Sequence, residues 1–338
     1  MIAAWYDHQG PAAEVLRVGE LPAAEPGQGE VRVRLSVSGI NPGDVKKRRA
    51  WLSSPMAFPR IVPHSDGAGV IEAVGPGVDA ARTGARVWVY GAQSYRPFGT
   101  AAQATVVPAA LAVDLPDSVG DETGACLGIP GITAHRAVFA DGPVAGQTVL
   151  VHGIRGSVGS LAAQLARWGG ATVIGTVRSD TDIGAVGEGV ADHVISLEAR
   201  GSRSGAAQTA AAIREVAPDG VHRVVEVALS ANADLDAAVV RNGAVVAAYA
   251  TTKDRTELPF WPLLFANVTI RLLGSDDFPQ EAKAAAARDL TSAAAQDALS
   301  VGVARTLPLA EIAAAHELVE SGSAAGRVLI SIPSALSG

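Results

Sequence analysis

The sequence predicts an α/β protein in two parts, a β-rich domain and a doubly wound parallel sheet. Three observations predict it. Residues 1 to about 115 hold short alternating segments such as "EVRVRLSVSGI" (30 to 40) and "ARVWVYG" (85 to 91), broken by glycine and proline. That alternation is how antiparallel strands with one buried face read. From residue 147 to about 273, β-branched runs alternate with alanine-rich stretches of helical spacing, and strand, helix, strand in that order builds a parallel sheet covered by helices. Within this part, "VHGIRGSVGSLAAQLARWGG" (151 to 170) places three glycines at a three-residue spacing just before a helix.

The elements follow in order. The change of style comes after "DLPDSVGDETGACLGIPGITAHRAVF" (114 to 139). The predicted strands of the second part are "TVLVHG", "ATVIGTV", "HVISL", "RVVEVAL", "GAVVAAYA" and "VTIRLLGS". Between the first two, Ser160 to Trp168 carries apolar residues at helical spacing until Gly169 and Gly170 stop it. The alanine-rich stretch at 205 to 213 reads as one sheet-covering helix. The chain closes with helix-like "PQEAKAAAARDLTSAAAQDAL" and "PLAEIAAAHELVESG", then a strand, "RVLISI". No internal repeat is visible.

Composition narrows the partners. The chain has 338 residues, 48% of them hydrophobic, enough to fill two cores. Its net charge is -7, and its longest basic run is Lys46-Lys47-Arg48-Arg49. That is a poor footprint for nucleic acid or anionic lipid, and neither is expected as a partner. Cys126 is the only cysteine, so an internal disulfide and a cysteine-rich structural zinc are both excluded. "MIAAWYDHQG" has no leader-like pattern, and no stretch reaches the ~20 apolar residues of a membrane span. A cytoplasmic protein is expected.

The glycine stretch has two readings. Amides at a helix start lack partners within the helix, and the helix dipole favours negative charge there, so a strand, a glycine turn and a helix suit a dinucleotide pyrophosphate. Equally, the glycines can serve only to pack strand against helix.

Four segments resemble the zinc-independent branch of the medium-chain dehydrogenase/reductase superfamily, the ζ-crystallin-like NADPH:quinone oxidoreductases. They are "GINPGDVKKR" (39 to 48), "PHSDGAGVIEAVGPGV" (63 to 78), "GIPGITAHRAV" (128 to 138) with "VLVHGIRGSVG" (149 to 159), and "PLAEIAAAHELVESGSAAGRVLI" (308 to 330). The resemblance implies a GroES-like catalytic domain over residues 1–120, a Rossmann NADPH-binding domain over 121–275 and a return to the catalytic domain over 276–338. It implies a homodimer paired through an edge strand like "NVTIRLL", a cytoplasmic enzyme, and NADPH as cofactor. The expected activity is reduction of small-molecule quinones or α,β-unsaturated carbonyls by direct hydride transfer. A dedicated enoyl or tailoring reductase is one alternative; a non-catalytic, crystallin-like NADPH-binding protein is another.

The resemblance also implies site residues. Gly153, Ile154, Arg155, Gly156, Ser157, Val158 and Gly159 form the cofactor turn, with Ile154 and Arg155 departing from the family's small residues. Thr133 falls where the family places a threonine beside the nicotinamide, or it caps a helix. Zinc-dependent relatives use a cysteine and a Gly-His-Glu motif; here Asn41 stands at the cysteine position, Ser65 and Asp66 stand at the His and Glu positions, and His64 is displaced by one. No metal is expected. Asn41 either donates to a carbonyl oxygen that gains charge or bonds local backbone within an "NPGD" turn, with Asp44 capping the helix "VKKRR". Trp51 either lines the substrate site or packs in the core. Where an NAD enzyme carries an acid against the ribose 2′-hydroxyl, this chain has Val177, Arg178 and Ser179. Arg178 and Ser179 suit a 2′-phosphate, although Asp182 replaces a lysine of the family. His135, His152, His316 and Cys126 are read as structural.

Overall fold

The computed structural model describes residues 1–197 and 203–333. The chain divides into two compact units: Met1–Ile132, Lys283–Ala295 and the residues from Ser300 on form the first, and Thr133–Ala282 with Gln296–Leu299 forms the second.

The first unit opens with an antiparallel ribbon, β1 (Ile2–Trp5) with β2 (Arg17–Glu20), around the one-turn helix α1 (Ala12–Val15). The ten residues of β3 (Glu30–Gly39) put Val31, Val33 and Leu35 on the buried face, as their period of two requires. Helix α2 (Pro42–Arg48) follows, with proline in its first turn, where a missing amide costs nothing. Strands β4 (Asp66–Val74), β5 (Arg86–Val89), β6 (Ala104–Pro108) and β7 (Ala112–Asp114) precede two helices, α3 (Asp121–Gly124) and α4 (Ile129–Phe139).

The second unit alternates strand and helix, except that β9 leads to β10 through a short 3-10 segment. Its elements are β8 (Thr148–Val151), α5 (Ser157–Trp168), β9 (Thr172–Val177), β10 (His193–Ser196), α6 (Arg203–Val216), β11 (Val221–Glu226), α7 (Leu229–Val239), β12 (Val240–Ala248), α8 (Phe260–Phe265) and β13 (Thr269–Leu272). All six predicted strands are present. They pair in parallel in the order β10-β9-β8-β11-β12-β13. Central strands covered on both faces are mostly apolar, and Val149, Leu150, Val151, Val224 and Val225 are fully buried. The chain runs outward from β8 in one direction and then from β11 in the other. In such sheets the carboxyl ends of the strands where the order reverses, here β8 and β11, are the usual ligand place.

The last segments complete the first unit: α9 (Gln280–Ala295), β14 (Val303–Pro308), α10 (Ile312–Ser321) and β15 (Arg327–Ser331). Its sheet has the order β14-β15-β3-β4-β5-β7, with β6 also on β3. All pairs are antiparallel except β14 with β15. Leu329 and Ile330 of β15 are fully buried, each contributing about 1.5–3 kcal/mol. These architectures are the GroES-like and Rossmann folds. Among the described residues, no helix is long and apolar enough to cross a membrane.

Candidate functional site

In the second unit the chain leaves β8 through Gly153, at φ +65, a left-handed conformation that favours glycine. Ile154 turns inward and lies over Gly175 of β9; it is 1% exposed, so its side chain is part of the core. Gly159 faces the turn from the helix, where an added Cβ would lie 2.9 Å from the carbonyl carbon of Gly153. The helix therefore packs closely on its own entry turn. Helix α5 begins at Ser157, after Gly156, and no side chain caps it. Its first amides keep their capacity to bind an anion, assisted by the helix dipole.

The end of β9 lies alongside. Arg178 is exposed and makes no ion pair among the described residues. Arg155 and Ser179 are held by one carboxylate: Arg155 donates to Asp182 Oδ1, and Ser179 Oγ donates to Asp182 Oδ2 at 3.1 Å. Thr133 is 5% exposed and lies inside α4, so it caps no helix start.

In the first unit Asn41 precedes α2. Its backbone N–H donates to Asp44 Oδ2 at 2.8 Å; Asn41 itself is the N-cap, and Asp44 acts from the third position inside α2 and not from a cap ahead of "VKKRR". Its side chain is used differently. Nδ2 donates to Asp66 Oδ2 at 2.7 Å, and Oδ1 accepts from Arg327 Nη1 at 2.7 Å. Asp66 Oδ1 accepts from the Ile129 amide at 2.8 Å, and Arg327 also donates to the Ile40 carbonyl at 2.9 Å. Asn41, Asp66 and Arg327 are all buried. Burial pushes the Asp44 carboxyl up to about 7. Trp51 is not core: it is 51% exposed on a short 3-10 turn, with Lys46 Nζ 4.6 Å from its ring centroid.

Beneath Asp66 runs a buried chain whose direction follows from counting hydrogens. Thr100 Oγ1 donates to the Asp66 carbonyl at 2.6 Å, so Ser38, 2.7 Å away, donates to Thr100. Ser38 must then accept from His64 Nδ1 at 2.8 Å, leaving His64 Nε2 to accept from His316 Nε2 at 2.9 Å. Both rings are neutral. Burial holds His64 well below the usual histidine range and His316 down to about 3. His64 adopts φ +74 and is wholly buried, a ring inside the core.

Comparison with known proteins places this geometry. Residues 27–117 match the model of the alcohol dehydrogenase GroES-like domain, and residues 157–288 that of the zinc-binding dehydrogenase family. A quinone oxidoreductase of Mus musculus is 37% identical over 179 residues, 52% of this chain and 51% of that protein. The chain thus spans about half the length of the curated relatives it matches. Among solved structures, a mycobacterial quinone oxidoreductase superposes with a TM-score of 0.84 at 28% identity, covering 98% of this chain and 99% of its own. A mycobacterial protein complexed with NADPH superposes with a TM-score of 0.82 at 28% identity, covering 98% and 100%.

The chain belongs to the medium-chain dehydrogenase/reductase superfamily.

Zinc-dependent members of this superfamily would hold a catalytic metal around positions 41 and 66. The residues present do not fit one. Asn41 offers a neutral amide, and the guanidinium of Arg327 already supplies a cation, 3.4 Å from Asp66 Oδ2. Among the described residues, one other group has metal-ligating types close together: His152, Glu226 and Asp236, all buried. Both ring nitrogens of its histidine are engaged, Nδ1 with Thr176 at 2.9 Å and Nε2 with Asp236 at 2.9 Å, while Glu226 Oε2 and Asp236 Oδ2 are buried without a hydrogen-bond partner. Glu226 Oε1 accepts from Asn232 and from the Ala228 amide, while burial raises the Glu226 carboxyl to about 7. Arg327 is the residue that sequence reasoning missed. An arginine opening an apolar strand reads as a surface residue, and only the pairing of β15 with β3 brings it to Asn41. The other omission is the double engagement of Asp182, whose acid character is plain in the sequence but whose partners are not.

Proposed function

We propose that this chain is an NADPH-dependent reductase that reduces quinones or α,β-unsaturated carbonyls without a metal. The observation that carries the reading is the uncapped amino end of α5, set behind a glycine turn at the carboxyl end of β8. When bound, NADPH supplies the hydride from its nicotinamide ring. The amides of Ser157, Val158 and Gly159 would receive the pyrophosphate. Arg178, exposed at the end of β9, offers a planar cation for the 2′-phosphate. Thr133 is assigned to the nicotinamide end by family analogy.

Asn41 has two amide N–H groups and gives one to Asp66; the other is available to a carbonyl oxygen that gains negative charge. Arg327 and Asp66 fix the rotation of that amide. Arg327 also answers the charge of Asp66, which removes the need for a metal cation there. The final proton comes from solvent, and Trp51 offers an exposed aromatic face for a flat substrate. The likeness to quinone oxidoreductases supports the substrate class. A buried free thiol at Cys126 suits a reducing compartment.

The test follows oxidation of NADPH by benzoquinone, phenanthrenequinone and a panel of enones. Turnover with at least one acceptor is expected. Tight NADPH binding with no oxidation across the panel would favour a non-catalytic nucleotide-binding role instead.

A further inference from the structure

Asp182 stands on the short 3-10 segment Asp180–Ala185 that follows β9. Its two carboxylate oxygens are both engaged, Oδ1 by Arg155 of the glycine turn and Oδ2 by Ser179. The Arg155 and Asp182 side chains are 33% and 25% exposed, so the pair sits at the surface, where solvent can replace either partner. Arg155 comes from the loop that leads into the anion-binding end of α5, and Ser179 from the end of β9. Arg178, the first residue after β9, is exposed and has no ion pair among the described residues.

We infer that Asp182 is a specificity-determining residue that limits the preference for a 2′-phosphorylated nucleotide by holding Arg155. The inference rests on the NADPH reading above and goes beyond it: that reading needs only Arg178. A 2′-phosphate reaching the end of β9 meets one free cation and one cation already neutralised by a carboxylate. Arg155 can turn to the phosphate only by leaving Asp182, and Asp182 then remains as a like charge beside the ligand. Both effects oppose the phosphate and leave a 2′-hydroxyl untouched. Removing the carboxylate charge frees a guanidinium whose planar fork matches phosphate.

The experiment compares binding of adenosine 2′,5′-bisphosphate and 5′-AMP, which differ only in the 2′-phosphate, by calorimetry on the full chain. Asp182→Asn keeps the size of the side chain on a solvent-exposed turn. It should bind the bisphosphate about 5- to 10-fold more tightly, a gain reduced by added salt, with 5′-AMP changed less than about 2-fold. Adding Arg155→Ala to Asp182→Asn should return the bisphosphate affinity close to that of the unmodified chain. A gain that persists in the double variant would overturn the role of Arg155. An unmoved bisphosphate to 5′-AMP ratio in Asp182→Asn would overturn the inference while leaving the cofactor reading intact, and so would weaker 5′-AMP binding, which would place Asp182 on the ribose hydroxyl. An unmodified chain that binds neither nucleotide would overturn the cofactor reading and this inference together.

Discussion

At the scale of single residues, the proposed chemistry turns on groups whose partners differ. Arg178 is free to meet a ligand, so Arg178→Ala should raise the Michaelis constant for NADPH ~10-fold or more and barely move that for NADH, as steady-state kinetics with both cofactors would show. Equal losses with both would remove Arg178 from the 2′-phosphate. Asn41 is tied to Asp66 and Arg327, and Asn41→Ala should lower turnover more than it weakens NADPH binding. It should also cost stability, about 1–3 kcal/mol, because it leaves the buried Asp66 and Arg327 with unsatisfied bonds. A variant that keeps full turnover would confine Asn41 to its structural bonds. The sequence pointed to Asn41 and to the glycine turn but not to what grips them. Arg327 is 286 residues from Asn41, and no local pattern reports a contact at that separation.

The buried imidazoles make a prediction about pH. His64 and His316 are neutral in the fold and take up a proton only far below the ordinary histidine value of about 6.5. In the unfolded chain they bind protons near that value. A depressed folded pKa means stability that is full above 6.5 and is lost as pH falls below it, down to about 3 for His316, by up to ~1.4 kcal/mol per pH unit for each ring. Asp44, raised to about 7, acts in the opposite sense, since its contribution is greatest in acid and fades as pH rises through that value. Urea midpoints measured at pH 7 and pH 5 should therefore fall less for His316→Gln, which keeps an N–H donor without titrating, than for the unmodified chain. Equal falls would show that the pair does not carry the acid sensitivity.

Among elements, helix α5 and strand β13 carry the most consequence. The six parallel strands were legible because the strands buried on both faces are rich in valine and other β-branched residues. The start of α5 was less so. It begins at Ser157, three residues before the apolar pattern becomes visible, because its first turn is spent on small residues against Gly153. Gly159→Ala should push the helix off that turn, costing about 1–3 kcal/mol and weakening nucleotide binding more than it lowers the melting temperature. Unchanged NADPH affinity would separate the close packing from the ligand. Strand β13 ends the sheet, and Phe260, Trp261 and Phe265 of the preceding α8 are more than 60% exposed, as is Leu272 of β13 itself. We propose that two copies pair along this edge, where open backbone groups and an apolar patch coincide. Light scattering should report a dimer that Trp261→Asp weakens toward monomer, and a monomeric unmodified chain would remove the proposal.

For the whole molecule, composition and segment order foretold the fold class, since hydrophobic periodicity is a local property. Charge pairing is not local. Asp182 against Arg155, Arg327 against Asp66 and His64 against His316 each join distant segments, and each decides what its site can bind or hold. The central claim is a reductase whose hydride chemistry needs NADPH and no metal, with Arg327 as the resident cation. Its most direct test is the rate of NADPH oxidation by a quinone after exhaustive dialysis against EDTA, with zinc measured on the same sample. The expected result is undiminished turnover with well under one zinc per chain; turnover that disappears with a stoichiometric zinc and returns when zinc is restored would contradict it.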